Sequence, residues 1–539
     1  MLESLWHKTI QKREYPSLNH NVNTNLLIIG GGITAILNAY LLRNHYHDIT
    51  IVTNNRFFSG TTGFTTAKVT YQHGYFYHDL VKGVGVKKAS DYFNLNKDGI
   101  ELIKKIVETE KIECDFVKVS NYLVSDKNHI AKEKEAYDKL NISYESTTYK
   151  KEPALKVSNQ YVFNPLLFLN ELLKILDKKI NIFENTKITK IKNLTSYTED
   201  GFEITAENII VATNYPLYPC NNLFFTKLAP NKSYVVVTNK KDESDCVYYY
   251  KDEAVTYRTY REFLLVSGLA HEMNNFVDTN KVFRNLKTYA DDKIHYAWSN
   301  RDFKSVDLIP FIGRISDNIY ISTGYGEWGM SNSAGGAKLI YDLITENNTD
   351  YADTFNPKRL IFNSKRFTYN LKKFKKYICN NKPLDNEEID EDKKVIITFD
   401  KKRYGVYKDE KNDIHIIKTK CTHLGCYLQF NKVNKVYECF CHGSMFDIDG
   451  KLINGPAIKD LKHIVLENEE TENDDHKKVD HKKDDHKKVD YKMDVPKINE
   501  PKINEPIKDE PKIDEPKNDD SKKDDSKKNN SKRDESKKE

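Results

Sequence analysis

Six residues between Cys421 and His442 have the types and spacing to hold a metal. They fall in two short runs, Cys421-Thr422-His423-Leu424-Gly425-Cys426 and Cys439-Phe440-Cys441-His442-Gly443-Ser444, with fifteen residues between His423 and Cys439. The C-x-H and C-x-x-H pairs each offer one thiolate and one imidazole. That donor set suits an iron-sulfur cluster with two thiolates on one iron and two neutral imidazoles on the other. Zinc is the competing reading. Its motifs usually space the first pair by two to four residues, and zinc would leave Cys426 and Cys441 without a role. Such crowding in a chain that reads as non-secreted favours a metal site over a disulfide framework.

A second chemistry is written near the start of the chain. The apolar run Leu26 to Ile29 reads as a buried strand, and an apolar helix follows Gly30-Gly31-Gly32-Ile33-Thr34-Ala35. In this G-x-G-x-x-A pattern Gly30 allows a tight turn, and Gly32 lets backbone approach a pyrophosphate at the helix N-terminus. Ala35 is small enough for close helix packing. The second strand, Ile49 to Val52, ends at Thr53, where dinucleotide sites usually place an acidic residue for the ribose hydroxyls. A threonine hydroxyl makes that bond without charge assistance, so weaker adenosine-end binding is expected.

Three further segments accompany this turn: Gly60-Thr61-Thr62-Gly63, the strand Ile209 to Val211 ending in Ala212-Thr213-Asn214, and Thr323-Gly324-Tyr325-Gly326-Glu327-Trp328-Gly329-Met330 before a helix. With Asp307-Leu308-Ile309-Pro310-Phe311-Ile312-Gly313, residues 1 to 350 resemble the D-amino-acid-oxidase-like family of FAD oxidoreductases, which includes the glycine oxidases. The resemblance implies FAD bound by Gly30, Gly31, Gly32, Ile33, Thr34, Ala35, Thr53, Gly60, Thr61, Thr62 and Thr213, with Gly324, Gly326, Gly329 and Met330 near the flavin. It also implies an amine or amino-acid substrate. Tyr248 to Tyr250, Arg258 and Arg261 are candidates for holding a carboxylate, but no spacing marks any as a clamp, and packing roles are the default. No catalytic residue is legible.

The two Cys/His runs resemble Rieske boxes, with Gly455-Pro456-Ala457 as the proline loop. The resemblance covers residues 390 to 465 and implies a 2Fe-2S cluster on Cys421, His423, Cys439 and His442, with Cys426 and Cys441 disulfide-bonded. Phe446 stands where high-potential members carry a tyrosine that donates to a ligand sulfur, while Ser444 keeps its place. Hydrogen bonds to sulfur stabilise the reduced cluster, so an intermediate potential is expected. Phe440 replaces the usual proline and should alter loop stiffness slightly.

These features need an architecture to position them. The expected one is α/β, a Rossmann-like FAD-binding domain with an antiparallel-sheet substrate domain, plus an all-β Rieske domain and a disordered C-terminal tail. The expected divisions are a leader (1–24), the oxidoreductase domain (25–350), a charged linker (351–385), the Rieske domain (386–467) and the tail (468–539). From Asp475 onward a degenerate five-residue repeat carries 20 Lys/Arg and 19 Asp/Glu. Its near-neutral charge and few apolar residues suit a solvated polyampholyte better than a core. Mean hydropathy of -0.70 agrees that part of the 539-residue chain does not fold.

Net charge is +5, which points to no nucleic-acid partner. The stretch Leu26 to Leu42 is interrupted by three glycines and reads as strand, turn and helix, so no membrane association is expected. The start of the chain lacks a secretory h-region, and a cytoplasmic location is the expectation. Cys114, Cys220, Cys246 and Cys379 are solitary and default to small buried hydrophobes. The expected activity passes electrons between a small molecule, flavin and cluster, with a redox protein as possible donor or acceptor. The alternative is a redox sensor or electron carrier with a degraded flavin site.

Overall fold

The computed structural model describes residues 4–216, 224–239, 246–251, 253–273, 277–290, 293–347, 349–361, 394–399, 402–409, 411, 413–431 and 435–464. Cys220, Cys379, most of the expected linker and the whole expected tail lie outside the described residues.

The apolar run near the start becomes the central strand Val22–Ile29 of a mostly parallel sheet. Its residues Leu26, Leu27 and Ile28 are wholly buried, as expected of a strand covered on both faces. It pairs in parallel with Ile49–Val52 on one side and Glu203–Val211 on the other. The outer strands Asn181–Phe183 and Ile319–Thr323 continue the parallel order, and Phe311–Ser316 closes one edge antiparallel. The chain therefore leaves the central strand towards both sides, which opens a crevice beyond the carboxyl ends of the strands, where such sheets bind ligands. Helix Ile33–Leu42 starts there, with Gly32 as its N-cap.

Helix Gly329–Ile344 crosses the long helix Val86–Thr109 at close range. Glycines permit this, since a Cβ on Gly99 would lie 2.2 Å from the Ser331 carbonyl oxygen and one on Gly335 would lie 2.1 Å from that of Leu95. Among the described residues a second sheet has nine strands, including Leu228–Asn239, Phe263–Glu272 and Tyr296–Ser305. It is antiparallel apart from one pair: Cys246–Tyr250 runs parallel to Val117–Ser125.

Within the segment before Asn25, set apart by sequence as a leader, the described residues Leu5 and Trp6 pack into this core. Trp6 is fully buried, and its indole Nε1 donates to the Thr65 carbonyl at 2.7 Å.

Among the described residues from 394 to 464 the chain forms two four-stranded antiparallel sheets. One contains Lys394–Phe399, Lys402–Lys408, Ile414–Lys418 and His463–Ile464, the other Gln429–Asn431, Val436–Glu438, Met445–Phe446 and Leu452–Asn454. Ile417, Leu428, Tyr437, Phe446 and Leu461 form their core together with Cys426 and Cys441. Among the described residues no helix is long and apolar enough to cross a membrane.

Candidate functional site

The carboxyl ends of the parallel strands open into one cleft, whose space out to its mouth is about 1530 Å³. Gly30, Gly31, Gly32, Ile33, Thr34, Thr53, Gly60, Thr61, Thr62, Thr213, Gly329 and Met330 all line it. The glycine turn fits close backbone approach. Gly30 has φ of 142°, and a Cβ there would lie 2.7 Å from the Ala212 carbonyl oxygen. Thr62 Oγ1 accepts from the Ile33 amide at 3.1 Å, tying the second loop to the helix start. The Thr53 hydroxyl packs on Gly31, whose Cβ would meet it at 2.6 Å.

Three expected residues do not line the cleft. Ala35 is wholly buried in the core, in keeping with its packing role. Gly324 and Gly326 have φ of 84° and 59° and shape the turn against Leu228 and Lys304. The intervening Tyr325 reaches the cleft instead. Its hydroxyl is 2.7 Å from Ser322 Oγ and 3.1 Å from Thr34 Oγ1, and Thr34 Oγ1 also bonds Ser333 Oγ at 3.1 Å. This network clips the first glycine turn to the last. Asp302 also lines the cleft. Burial pushes its carboxyl up to about 6, against the amide donors of Glu327 at 2.7 Å and Phe303 at 2.8 Å.

A narrow gap with room for about one water lies beyond Trp328, lined by Lys68, Gln72, Asn121, Tyr122, Cys246, Val247, Tyr248 and Trp328. Trp328 N-caps the helix that carries Gly329 and Met330, two residues of the cleft wall. His73 stacks on Trp328 with centroids 4.4 Å apart. Its ring nitrogens are taken by Tyr92 Oη at 2.7 Å and the Thr70 carbonyl at 2.8 Å. Burial pushes His73 down to about 3, so it stays neutral and acts as a wall. Burial also pushes the Lys68 ammonium down to about 8.

Of the carboxylate-holding candidates, only Tyr248 reaches this cavity. Arg258 is buried and pins the approach to Lys68, donating from Nη1 to the carbonyls of Thr66 at 2.6 Å and Ala67 at 2.7 Å. Arg261 pairs with Asp115 at 3.0 Å on the surface. Tyr249 packs edge-on against Tyr257, and Tyr250 stacks on Tyr75.

The two Cys/His loops are built alike. The Cys421 amide donates to the Cys426 carbonyl at 2.8 Å, and the Gly425 amide to the Cys421 carbonyl at 2.9 Å. In the second loop Cys439 donates to Ser444 at 2.8 Å, and Gly443 to Cys439 at 2.6 Å. Gly425 and Gly443 take the same positive φ, 80° and 77°. The loops bring His423 and His442 to 5.0 Å between ring centroids. Cys426 and Cys441 are bridged, while Cys421 and Cys439 are free and buried. His423 Nδ1 is buried with no hydrogen-bond partner, the state of a ligand atom facing its metal. Burial holds that imidazole down at about 4, neutral as iron ligation requires. The donor set therefore fits the cluster. Ser444 Oγ accepts from the Ala457 amide of the proline loop at 2.9 Å.

Cleft and loops adjoin. Leu452 and residues Asn454 to Ile458 line the same cleft as the glycine turn. The ring of Tyr215, also in the cleft wall, meets the ring of His423 with centroids 5.8 Å apart. Arg301 Nη2 donates to the Gly455 carbonyl at 3.1 Å. Sequence reasoning missed Tyr215, Tyr325 and Arg301, because no local pattern marks a contact that forms between distant segments.

Known proteins agree with this geometry. Residues 25–343, more than half the chain, match the family model for FAD dependent oxidoreductases, and residues 381–465 match the Rieske 2Fe-2S domain. A Bacillus subtilis chain, YhfW, named as a Rieske 2Fe-2S iron-sulfur protein, is 32% identical over 498 residues, spanning 86% of this chain and 98% of its own. Gamma-glutamylputrescine oxidoreductase of Escherichia coli is 21% identical over 370 residues, 61% of this chain and 85% of that protein. Among solved structures, glycine oxidase from Geobacillus kaustophilus shares the fold with a TM-score of 0.53 at 14% identity, covering 64% of this chain and 100% of its own. L-proline dehydrogenase from P. horikoshii does so with a TM-score of 0.53 at 18% identity, covering 63% and 98%. The chain belongs to the FAD dependent oxidoreductase family, and its cofactors are FAD in that domain and a 2Fe-2S cluster in a C-terminal Rieske domain.

Proposed function

We propose that this oxidoreductase takes electrons from a small amine or amino acid and delivers them, through both cofactors, to an external acceptor. The observation that carries the reading is the shared wall: the proline loop beside the cluster ligands also lines the dinucleotide cleft. Bound there, FAD would supply hydride-accepting chemistry and the cluster one-electron chemistry. On this reading the residues lining the cleft, from Gly30 to Thr34 and from Gly60 to Thr62 with Thr53, Thr213, Gly329 and Met330, hold FAD. Cys421, His423, Cys439 and His442 hold the iron, and the Cys426–Cys441 bridge braces the two loops.

The chain's own groups also suggest how substrate is held. Lys68 is a buried cation in the cavity beside Trp328, with Tyr248, Gln72 and Asn121 as polar neighbours. A charged amine in that setting favours a carboxylate, through a charge-assisted hydrogen bond. Arg258 fixes the backbone from which Lys68 projects, and the His73 stack fixes the Trp328 wall. The space beside Lys68 holds only about one water, so a substrate carboxylate reaches this ammonium only with Trp328 displaced; on that reading an amino acid is the preferred substrate class over a simple amine. The sensor alternative is the less supported reading, since Gly30 to Gly32 and Thr62 keep a close backbone turn on which Thr53 packs.

The test is anaerobic titration of the purified protein with paired compounds, each an amino acid and the amine lacking its carboxylate. The reading expects the amino acid of some pair to bleach the flavin at lower concentration than its amine. Bleaching by the amines at equal or lower concentration in every pair rejects the carboxylate assignment.

A further inference from the structure

Arg301 belongs to the flavoprotein half, yet its side chain reaches the cluster loops. Its carbonyl is held within the dinucleotide cradle, accepting from Thr61 Oγ1 and Asn214 Nδ2, each at 3.1 Å. Arg301 itself lines the cleft, and its guanidinium also reaches the metal loops. Nη2 donates to the Gly455 carbonyl, and a Cβ on Gly443, the residue after ligand His442, would lie 2.9 Å from Arg301 Cδ and 3.0 Å from Nη1. Nε and Nη1 are buried with no hydrogen-bond partner. A buried cation with two orphaned N–H groups is expensive unless something nearby offers negative charge.

The neighbouring charges do not cancel it. Lys232 is directly opposite Arg301 across the strand pair and places its Nζ 3.4 Å from Glu438 Oε1. Both of those side chains are under a tenth exposed. Glu438 precedes Cys439, and these two are the anionic groups that act on Arg301. Two buried cations thus face one carboxylate, which leaves an excess positive charge beside the cluster loops. Two ferric ions, two sulfides, two thiolates and two neutral imidazoles sum to neutral. Adding one electron makes one iron ferrous and the assembly singly negative.

We propose that Arg301 is a positioning residue through which the flavoprotein half raises the reduction potential of the cluster. Its charge stabilises the reduced form, and its bond to Gly455 holds the proline loop against that form. The inference requires the cluster but neither the substrate nor the direction of electron flow. It therefore stands or falls separately from the proposed reaction.

The experiment is an EPR-monitored redox titration of the full-length holoprotein, comparing wild type with Arg301→Gln, Arg301→Lys and Glu438→Gln, with the flavin midpoint read in parallel. Arg301→Gln should lower the equilibrium constant for cluster reduction about tenfold, which is ~59 mV for one electron. Arg301→Lys should restore most of that shift, and Glu438→Gln should move the potential upward. An unchanged potential in Arg301→Gln overturns the proposal. So does an equal shift in the Gln and Lys variants, because that marks a role in packing alone. Should Arg301→Gln assemble no cluster, Glu438→Gln decides the matter, and the absence of a rise there overturns the proposal.

Discussion

Tyr215 and His423 meet edge to face, with ring centroids 5.8 Å apart and planes at 83°. One ring belongs to the dinucleotide cleft and the other to the metal loops, and Tyr215 is further seated against Phe303 at 5.0 Å. An aromatic pair of this geometry contributes about 1 kcal/mol beyond its buried area. Tyr215→Leu should loosen the cluster loops from the flavoprotein half by about that amount. Faster hydrogen exchange in Cys421 to Cys426, without change elsewhere in the C-terminal half, is the expected readout.

The glycine turn makes a sharper prediction. Gly30→Ala forces a Cβ to 2.7 Å from the Ala212 carbonyl oxygen in a backbone with φ of 142°. Such strain costs about 1–3 kcal/mol. FAD affinity should fall roughly ten- to hundredfold, measured by fluorescence of released flavin, while cluster content stays at the wild-type level.

Lys68 gives a pH dependence whose sign is fixed. Its ammonium, pushed down to about 8 by burial, is charged below that pH and neutral above it. Only the charged form attracts a carboxylate, so binding of an amino-acid substrate should weaken as pH rises through about 8. Loss of a charge-assisted hydrogen bond is worth about 1.5–3 kcal/mol. Lys68→Met should therefore raise KM about ten- to hundredfold and remove its pH dependence in this range. A KM–pH profile of the two proteins is the check.

Phe446 is wholly buried and pairs with Tyr437 across the second small sheet. It sits two residues beyond Ser444, where a tyrosine hydroxyl would offer a further hydrogen bond to a ligand sulfur. A bond to a charged acceptor is worth about 1.5–3 kcal/mol, so Phe446→Tyr should raise the cluster potential by roughly 60–130 mV. Protein-film voltammetry measures it, with the wild-type midpoint expected below the top of the Rieske range.

How much of this was legible in the sequence follows from how local each signal is. The Cys/His loops and the glycine turn are short, and their chemistry needs fixed spacing, so their residues could be named before any fold was known. The strands Ile49–Val52 and Ile319–Thr323 were legible as apolar runs between turn residues. Gly324 and Gly326 were expected near the flavin because the family resemblance implies it. In the fold their positive φ serves the turn itself, and Tyr325 between them faces the cleft. Arg258 could not be told from a substrate clamp, since either role needs only an arginine on a strand. Its two carbonyl acceptors come from residues about 190 positions away. Arg301 gave no signal at all, because its partner Gly455 is 154 residues away, in the other domain. The parallel pairing of Cys246–Tyr250 with Val117–Ser125 was hidden for the same reason, as register between distant strands is set by the fold.

The central claim is that electrons from substrate reach the cluster within one chain. Anaerobic rapid mixing with a panel of amino acids tests it most directly, following flavin absorbance and the rhombic EPR signal of the reduced cluster over a series of protein concentrations. The account predicts that one compound bleaches the flavin and that the cluster signal then grows at a rate independent of protein concentration. A flavin that bleaches while the cluster stays oxidised, although dithionite reduces it, would contradict the account.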